Sequence, residues 1–273
     1  MEYSNPKPPE GINVTPEHPL KEFAQLTVGM AVVIVAVVAV LAFGIGHLAR
    51  LVPFNLEVQI ADRYPASVPK ESPQGRYLQR LADRLCATSP LPPGMRITMH
   101  YVDADVVNAM ATVGGHVMVY RGLMQDVPSE NALAMVVAHE IAHVRHRDPI
   151  VALGRGVVIG LGLAAISGAT GSDVAGDVLG RAGLMTALSF NRAQERDADR
   201  EALSMLVAAY GHAGGATAFF ERMLERADTP GAEAVPAFMS SHPLTRERIA
   251  SLRALAAERG WVLDGPEAKL PEF

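Results

Sequence analysis

The segment His139–His143 reads H-E-I-A-H and carries three side chains that can act on one metal ion. In a helix, histidines at i and i+4 lie one turn apart on the same face. Both imidazoles can then bind one zinc ion at about 2.0–2.1 Å. Glu140 lies beside that position, where its carboxylate can take a proton from water at the metal. The alternative is a core helix whose histidines are only hydrogen-bonded.

A catalytic zinc site usually takes a third protein ligand. His146 is too far along the helix, because seven residues from His139 correspond to about 10.5 Å. Glu195 is the better candidate, and Asp199 lies one turn after it, where it can accept a hydrogen bond from a ligating histidine. The alternative is a solvated helix whose carboxylates pair with neighbouring arginines, namely Arg192, Arg196 and Arg200.

A helix must carry the first motif, and the preceding residues favour one. Residues 132–138 are apolar and mostly good helix formers. Ser129 is suited to cap the helix, and Glu130 suits the positive end of its dipole. The sequence therefore predicts a largely buried helix that carries the metal-binding residues and ends at Asp148-Pro149, since the residue before a proline avoids the α region.

H-E-x-x-H followed at long range by E-x-x-x-D resembles the M48 zinc peptidases, the group of the CAAX prenyl endopeptidase, the heat-shock membrane protease and the periplasmic outer-membrane quality-control proteases. Two further segments are similar to family motifs: Asn108–Val117, which reads N-A-M-A-T-V-G-G-H-V, and Ser241–Ile249, which reads S-H-P-L-T-R-E-R-I. Val113 departs from the pattern, because the family often has proline there.

The resemblance implies a mostly helical, zincin-like (gluzincin) α+β domain with a small sheet. His139, His143 and Glu195 would bind one zinc ion per chain, with Glu140 as general base and Asp199 behind the ligands. The reaction would be hydrolysis of peptide bonds in polypeptide substrates.

The same resemblance implies that residues 108–113 form an edge strand beside the cleft. An extended peptide could pair with such a strand through main-chain hydrogen bonds. The alternative is an ordinary interior hairpin. Gly114 and Gly115 would let the chain turn before the next strand. The strand residues expected at the substrate are Asn108, Ala109, Met110 and Ala111.

His242 has three possible roles: an extra metal ligand in a closed, latent form, a donor to the developing oxyanion, or a structural residue in a helix-entry turn. Arg246 and Arg248 are alternative oxyanion donors, since preorganised cations can serve there. The sequence does not choose between these roles.

Residues 26–49 are predicted to be a transmembrane anchor. No charged residue lies between Leu26 and Gly46, and about 20 apolar residues span the hydrocarbon core. A cleaved signal peptide is the alternative, but the preceding 25 residues are long, proline-rich and acidic rather than short and basic. That tail, residues 1–25, is predicted to be disordered.

The charges that flank the anchor bear on which side of the membrane holds the catalytic domain. Lys21 precedes the anchor and Arg50 and Arg63 follow it, which favours a cytoplasmic domain by one charge. A short tail followed by one anchor is a common arrangement for an exported enzyme, and we favour the periplasmic face of a bacterial inner membrane. The net charge of −5 predicts no nucleic-acid partner. The single cysteine, Cys86, excludes an intrachain disulfide.

The predicted order is a tail, the anchor, a juxtamembrane linker at 50–73, the peptidase domain at 74–259 and a C-terminal tail at 260–273. Residues 151–188 are ambiguous: a buried helical hairpin, a surface that dips into lipid, or a second membrane segment. We predict a membrane-anchored zinc metalloendopeptidase acting on extended or misfolded membrane and envelope proteins. The alternatives are a zinc module that holds clients without cutting them and an intramembrane prenyl-protein peptidase, which would need several spans.

Overall fold

The computed structural model describes residues 18–63, 72–170, 190–228 and 237–273. Its elements in chain order are α1 (Pro19–Leu51), α2 (Phe54–Arg63), α3 (Pro73–Thr88), β1 (Thr98–Val102), β2 (Ala109–Thr112), a 3-10 turn (Val113–Gly115), β3 (His116–Tyr120), α4 (Arg121–Asp126), α5 (Glu130–Arg145), α6 (Asp148–Thr170), α7 (Arg192–Tyr210), α8 (Ala218–Ala227), α9 (Ala237–Ser241) and α10 (Arg246–Glu258). The predicted fold class, mostly helical with a small sheet, is confirmed.

The sheet has three strands in the order β1-β3-β2, so β2 lies at an edge. β1 runs parallel to β3, and β2 runs antiparallel to it, with Ala111 opposite Val117. The turn between β2 and β3 needs glycine, because Gly115 has a φ of 81° and a Cβ there would lie 1.9 Å from the carbonyl oxygen of Arg96.

Helix α5 forms the centre of the core. The Ser129 hydroxyl accepts a hydrogen bond from Ala132 N at 3.1 Å, as predicted for its N-cap. Every residue from Asn131 to Val144 is buried, because α5 is covered by α7, α3 and β2. A helix that is apolar on most sides is stable only when it is covered on those sides. Burial of α5 keeps the H-E-x-x-H side chains away from bulk water.

Helix α1 begins at Pro19, so the predicted disorder of residues 1–25 is wrong for its last seven residues, and residues 1–17 lie outside the described part. Within the described residues, α1 is the one helix whose length and composition would let it cross a membrane. The predicted linker contains α2. Glu57 of that helix accepts hydrogen bonds from Gly114 N at 3.2 Å and Arg147 Nε at 2.6 Å.

The ambiguous segment begins as helix α6, which continues to Thr170 and packs along α1; residues 171–189 lie outside the described part. The predicted C-terminal tail is docked on the start of α5. Its Ala268 carbonyl accepts a hydrogen bond from Glu130 N, and its Ala268 N donates to Asn131 Oδ1, both at 2.8 Å.

Candidate metal centre

Helix α5 brings His139 and His143 together on one face. Their Nε2 atoms lie 3.1 Å apart, and both side chains are fully buried. His143 also stacks on Phe190, with ring centroids 4.0 Å apart. The one-turn spacing expected from the sequence therefore produces two imidazole nitrogens that converge on one point.

Helix α7 brings Glu195 to the same point. A capping box at Asn191 and Gln194 starts the helix and fixes Glu195 in its first turn. The Glu195 Oε2 atom lies 3.4 Å from His139 Nε2, and Oε1 lies 3.4 Å from His143 Nε2. Ligand atoms at zinc distances of about 2.0–2.1 Å in a tetrahedron are roughly 3.3–3.4 Å apart. The three separations fit one zinc ion.

His242, just after α9, completes the cluster. Its Nδ1 lies 3.1 Å from Glu195 Oε1, its Nε2 lies 3.3 Å from Glu140 Oε1, and its ring stacks on Phe238. One ligand atom from each of the four residues His139, His143, Glu195 and His242 lies within 4.8 Å of the others. The three predicted roles of His242 stay predictions.

Among the described residues, four buried atoms of the cluster have no hydrogen-bond partner: His139 Nδ1, Glu140 Oε1, Glu195 Oε2 and His242 Nε2. Asp199 and Arg248 lie beside the first and third of these atoms, which leaves Glu140 Oε1 and His242 Nε2. Buried polar side-chain atoms are nearly always partnered, so these two point to a missing polar ligand. The donor set of two imidazoles and a carboxylate suits zinc. His146 takes no part, because it pairs with Glu201 at 2.7 Å.

The carboxylates make the centre strongly negative. Burial lowers the pKa of His139, but hydrogen bonds with Asp199 and Glu195 outweigh burial and raise the pKa to about 10. Burial raises the pKa of Glu195, but the positive charge of His242 and hydrogen bonds from the histidines outweigh burial and hold it well below its usual range. Such an environment favours a cation between these side chains.

Asp199 lies behind the first histidine, with Oδ1 3.1 Å from His139 Nδ1. Arg248 holds Asp199 from the other side by two hydrogen bonds of 2.7 Å and lies 2.6 Å from Glu195. Its guanidinium is therefore committed to these carboxylates, which contradicts the oxyanion role. The Arg246 side chain is 80% exposed and pairs with Asp228, so the structure does not bring it into the cluster.

Asp148 is the functional candidate that sequence reasoning missed. Its Oδ2 lies 2.9 Å from His143 Nδ1, and its Oδ1 accepts a hydrogen bond of 2.5 Å from Gln194 Nε2. Arg50, at the end of α1, lies 3.7 Å away. Each histidine thus has its own carboxylate behind it, an arrangement that fixes the tautomer and the ring orientation of metal ligands. The available signal was an acidic residue five positions after His143.

Asp148→Asn is expected to weaken zinc binding about 10- to 100-fold, because the neutral amide holds the His143 ring less firmly. The comparison variant is Asp197→Asn, since Asp197 is exposed and pairs with Arg200 at the surface. Competition with a chromogenic chelator measures both affinities. Equal affinities in the two variants would remove Asp148 from the centre.

A cleft of about 470 Å³ opens beside the cluster. Its walls come from β2, the first turns of α6 and the α9 region, and the side chains are mainly apolar: Val106, Met110, Val113, Tyr120, Leu153 and Phe190 among them. The edge position expected for residues 108–113 is confirmed for β2, although Ala109 is fully buried in the core. Ala111 N donates a hydrogen bond of 2.7 Å to Glu140 Oε2, which joins the strand to the motif.

Comparison with known proteins gives consistent matches. Residues 72–256 match the family model of Peptidase family M48. The putative beta-barrel assembly-enhancing protease of Vibrio cholerae is 30% identical over 201 residues, covering 67% of this chain and 39% of that protein. The mitochondrial metalloendopeptidase OMA1 of Schizosaccharomyces pombe is 32% identical over 187 residues, covering 67% and 53%. The chain therefore spans about half the length of these relatives, or less.

Proposed function

Because the chain belongs to peptidase family M48, we propose that it is a zinc metalloendopeptidase anchored in a membrane by α1. The observation that carries this proposal is the convergence of His139, His143 and Glu195 within 3.1–3.4 Å of one another beside a cleft. Glu140 follows the first histidine and reaches the same space. A protein that only held clients would have no use for a base at that place.

The three converging residues would hold zinc, which when bound supplies Lewis-acid chemistry. Glu140 then acts as general base. Its Oε2 is fixed by the Ala111 N–H, while its Oε1, 3.3 Å from His242 Nε2, accepts no hydrogen bond within the described part of the chain and can take a proton from the attacking water. The same carboxyl group can pass that proton to the leaving amine. Asp199 and Asp148 keep the two imidazoles in the orientation that this chemistry needs.

The edge strand β2 supports a peptide as substrate. In the described ranges, β2 pairs with a strand on one side only, and the cleft is bordered by Asn108, Met110 and Ala111. An added strand binds through main-chain hydrogen bonds, so it must be extended and its sequence matters little. We therefore propose unfolded or extended segments of membrane and envelope proteins as substrates. The names of relatives, a beta-barrel assembly-enhancing protease and a mitochondrial metalloendopeptidase, are compatible with this class.

The proposed location is a bacterial inner membrane, crossed once by α1, with the catalytic domain on the periplasmic face. Residues 26–46 carry no charge, and α1 exposes its apolar side chains. Such a surface is unfavourable in water and favourable in lipid.

Zinc dependence tests the proposal directly. The 273-residue chain, purified in detergent, is expected to contain one zinc ion per chain by mass spectrometry and to cut casein. Dialysis against a chelator should abolish cleavage, and added zinc should restore it. Cleavage that survives complete removal of metal would overturn the proposal, and zinc binding without cleavage would support the client-holding module instead.

A further inference from the structure

Helix α6 leaves the metal centre and runs back along α1. It starts at Asp148, behind the second histidine, and its residues Ile150 and Val151 form a small apolar cluster with Ala49 near the end of α1. The Arg50–Asp148 pair lies at the same level. The first turn of α6 is therefore part of the catalytic domain, and the rest continues beside the proposed membrane anchor.

The two helices fit together at glycines. A Cβ at Gly154 would lie 2.8 Å from Ile45 Cγ1, and one at Gly162 would lie 2.6 Å from Val38 Cγ2. Later positions on α6 meet earlier positions on α1, so the helices are antiparallel. Close backbone approach through small residues is the way helices associate in lipid. The contact extends along the uncharged part of α1, from Ile45 to Val38.

Beside the contact with α1, helix α6 exposes apolar side chains. Val157 is 54% exposed and Leu161, one turn later, is 67% exposed. No charged residue occurs in the helix after Arg155. The 15 residues from Gly156 to Thr170 are about 22 Å long, which is most of the hydrocarbon thickness of about 30 Å. This face continues the exposed apolar surface of α1, where Val35 is 64% exposed.

We propose that α6 is embedded in lipid beside α1 as a second membrane element and that the substrate cleft consequently lies at the membrane surface. The occupant of the exposed face is the bilayer, because its neighbour α1 offers the same apolar surface at the same depth. Arg50 pairs with Asp148 and Arg155 donates a hydrogen bond to Gln194, so both charges are held by the catalytic domain. The proposal rests on the membrane anchor of the proposed function.

The cleft follows from the same helix. Ala152 and Leu153 line the cleft, and Val157 is one turn further along. The four residues from Leu153 to Val157 rise about 6 Å along the helix, so the substrate site and the first lipid-facing residue of α6 are neighbours. The substrates within reach are peptide segments just outside a membrane, such as the residues that flank a transmembrane helix.

Quenching by lipid tests the embedding. The full chain with Cys86→Ala receives one cysteine at a time, at Leu161, Val35 or Val262, and each is labelled with bimane. Val262 is the matched control, because it is an exposed apolar residue near the C-terminus. The labelled proteins are reconstituted in phosphatidylcholine vesicles with or without bromine on the acyl chains. We expect strong quenching at Leu161 and Val35 and none at Val262.

Two results would contradict the proposal in different ways. Quenching at Val35 with none at Leu161 would overturn the embedding of α6 and leave the anchor intact. In that case, iodide added to the water distinguishes two explanations. A label at position 161 that iodide does not quench would identify a protein contact on that face, and a label that iodide quenches would identify exposure to water. Absence of quenching at Val35 as well as Leu161 would overturn the anchor itself. Zinc content equal to that of the parent shows that each labelled protein is folded.

Discussion

Glu140→Gln is expected to keep one zinc ion per chain and to cut casein about 100- to 10 000-fold more slowly than the parent, because general-base catalysis contributes a factor of this size. The amide has nearly the shape of the carboxylate, and its oxygen can still accept the Ala111 hydrogen bond. It cannot accept a proton. The three proposed ligands are untouched, so loss of activity would not come from loss of metal.

A matched variant, Glu258→Gln, makes the same chemical change on the exposed side of α10. It should cut casein at the rate of the parent. Rates are measured with proteins of equal zinc content, so that only the base differs. If Glu140→Gln cut as fast as Glu258→Gln, the mechanism would need another base and the proposed role of Glu140 would be wrong.

The parts of the centre that the sequence predicts depend on helix periodicity. His139 and His143 meet because residues four apart share a face. The same rule places Glu195 and Asp199 one turn apart on α7. Neither segment indicates by its own sequence that α5 and α7 lie side by side. Only the resemblance to a family predicts that contact.

Asp148 could not be found in this way. It follows a turn between α5 and α6 at Arg147, which has a φ of 63°, a conformation that few residues other than glycine adopt. This turn changes the direction of the chain, and Asp148 then reaches His143 from outside α5. A helix continued through this point would have placed Asp148 elsewhere. Backbone conformations of single residues are not visible in hydrophobic periodicity.

The linker at 50–73 and the C-terminal tail at 260–273 make contacts that the sequence does not predict. Glu57 looks like a solvated charge in the sequence, but the structure buries it against Arg147 and the backbone of Gly114. Ala268 belongs to a polar, proline-containing end, yet it pairs with the start of α5. The partners of Glu57 and Ala268 lie far away in sequence, so the composition of the surrounding residues does not indicate these contacts.

The sequence also does not predict which arginine of α10 reaches the metal centre. Thr245 caps the helix by accepting a hydrogen bond from Arg248 N, which sets the direction of each following side chain. Arg246 and Arg248 are two residues apart and therefore point to different sides. The sequence names both as candidates, and only the packing of α10 against α7 decides that Arg248 is buried and Arg246 exposed.

Arg248→Ala is expected to lower the free energy of unfolding of the metal-free protein by about 3–5 kcal/mol, because removal of one member of a buried ion pair leaves the other charge uncompensated. Asp199 and Glu195 would both lose their arginine, and both are buried. Arg246→Ala changes the same residue type on the same helix. Its exposed pair contributes little, so an effect within about 0.5 kcal/mol is expected.

Chemical denaturation of both variants in detergent and excess chelator measures the difference. Zinc should reduce the cost of Arg248→Ala, because a cation beside Glu195 replaces part of the missing positive charge. Arg246→Ala should respond to zinc as the parent does. Equal destabilisation by the two substitutions would show that Arg248 does not hold the carboxylates of the centre. An Arg248→Ala protein as stable as the parent would show that the buried ion pairs do not contribute to the free energy of unfolding.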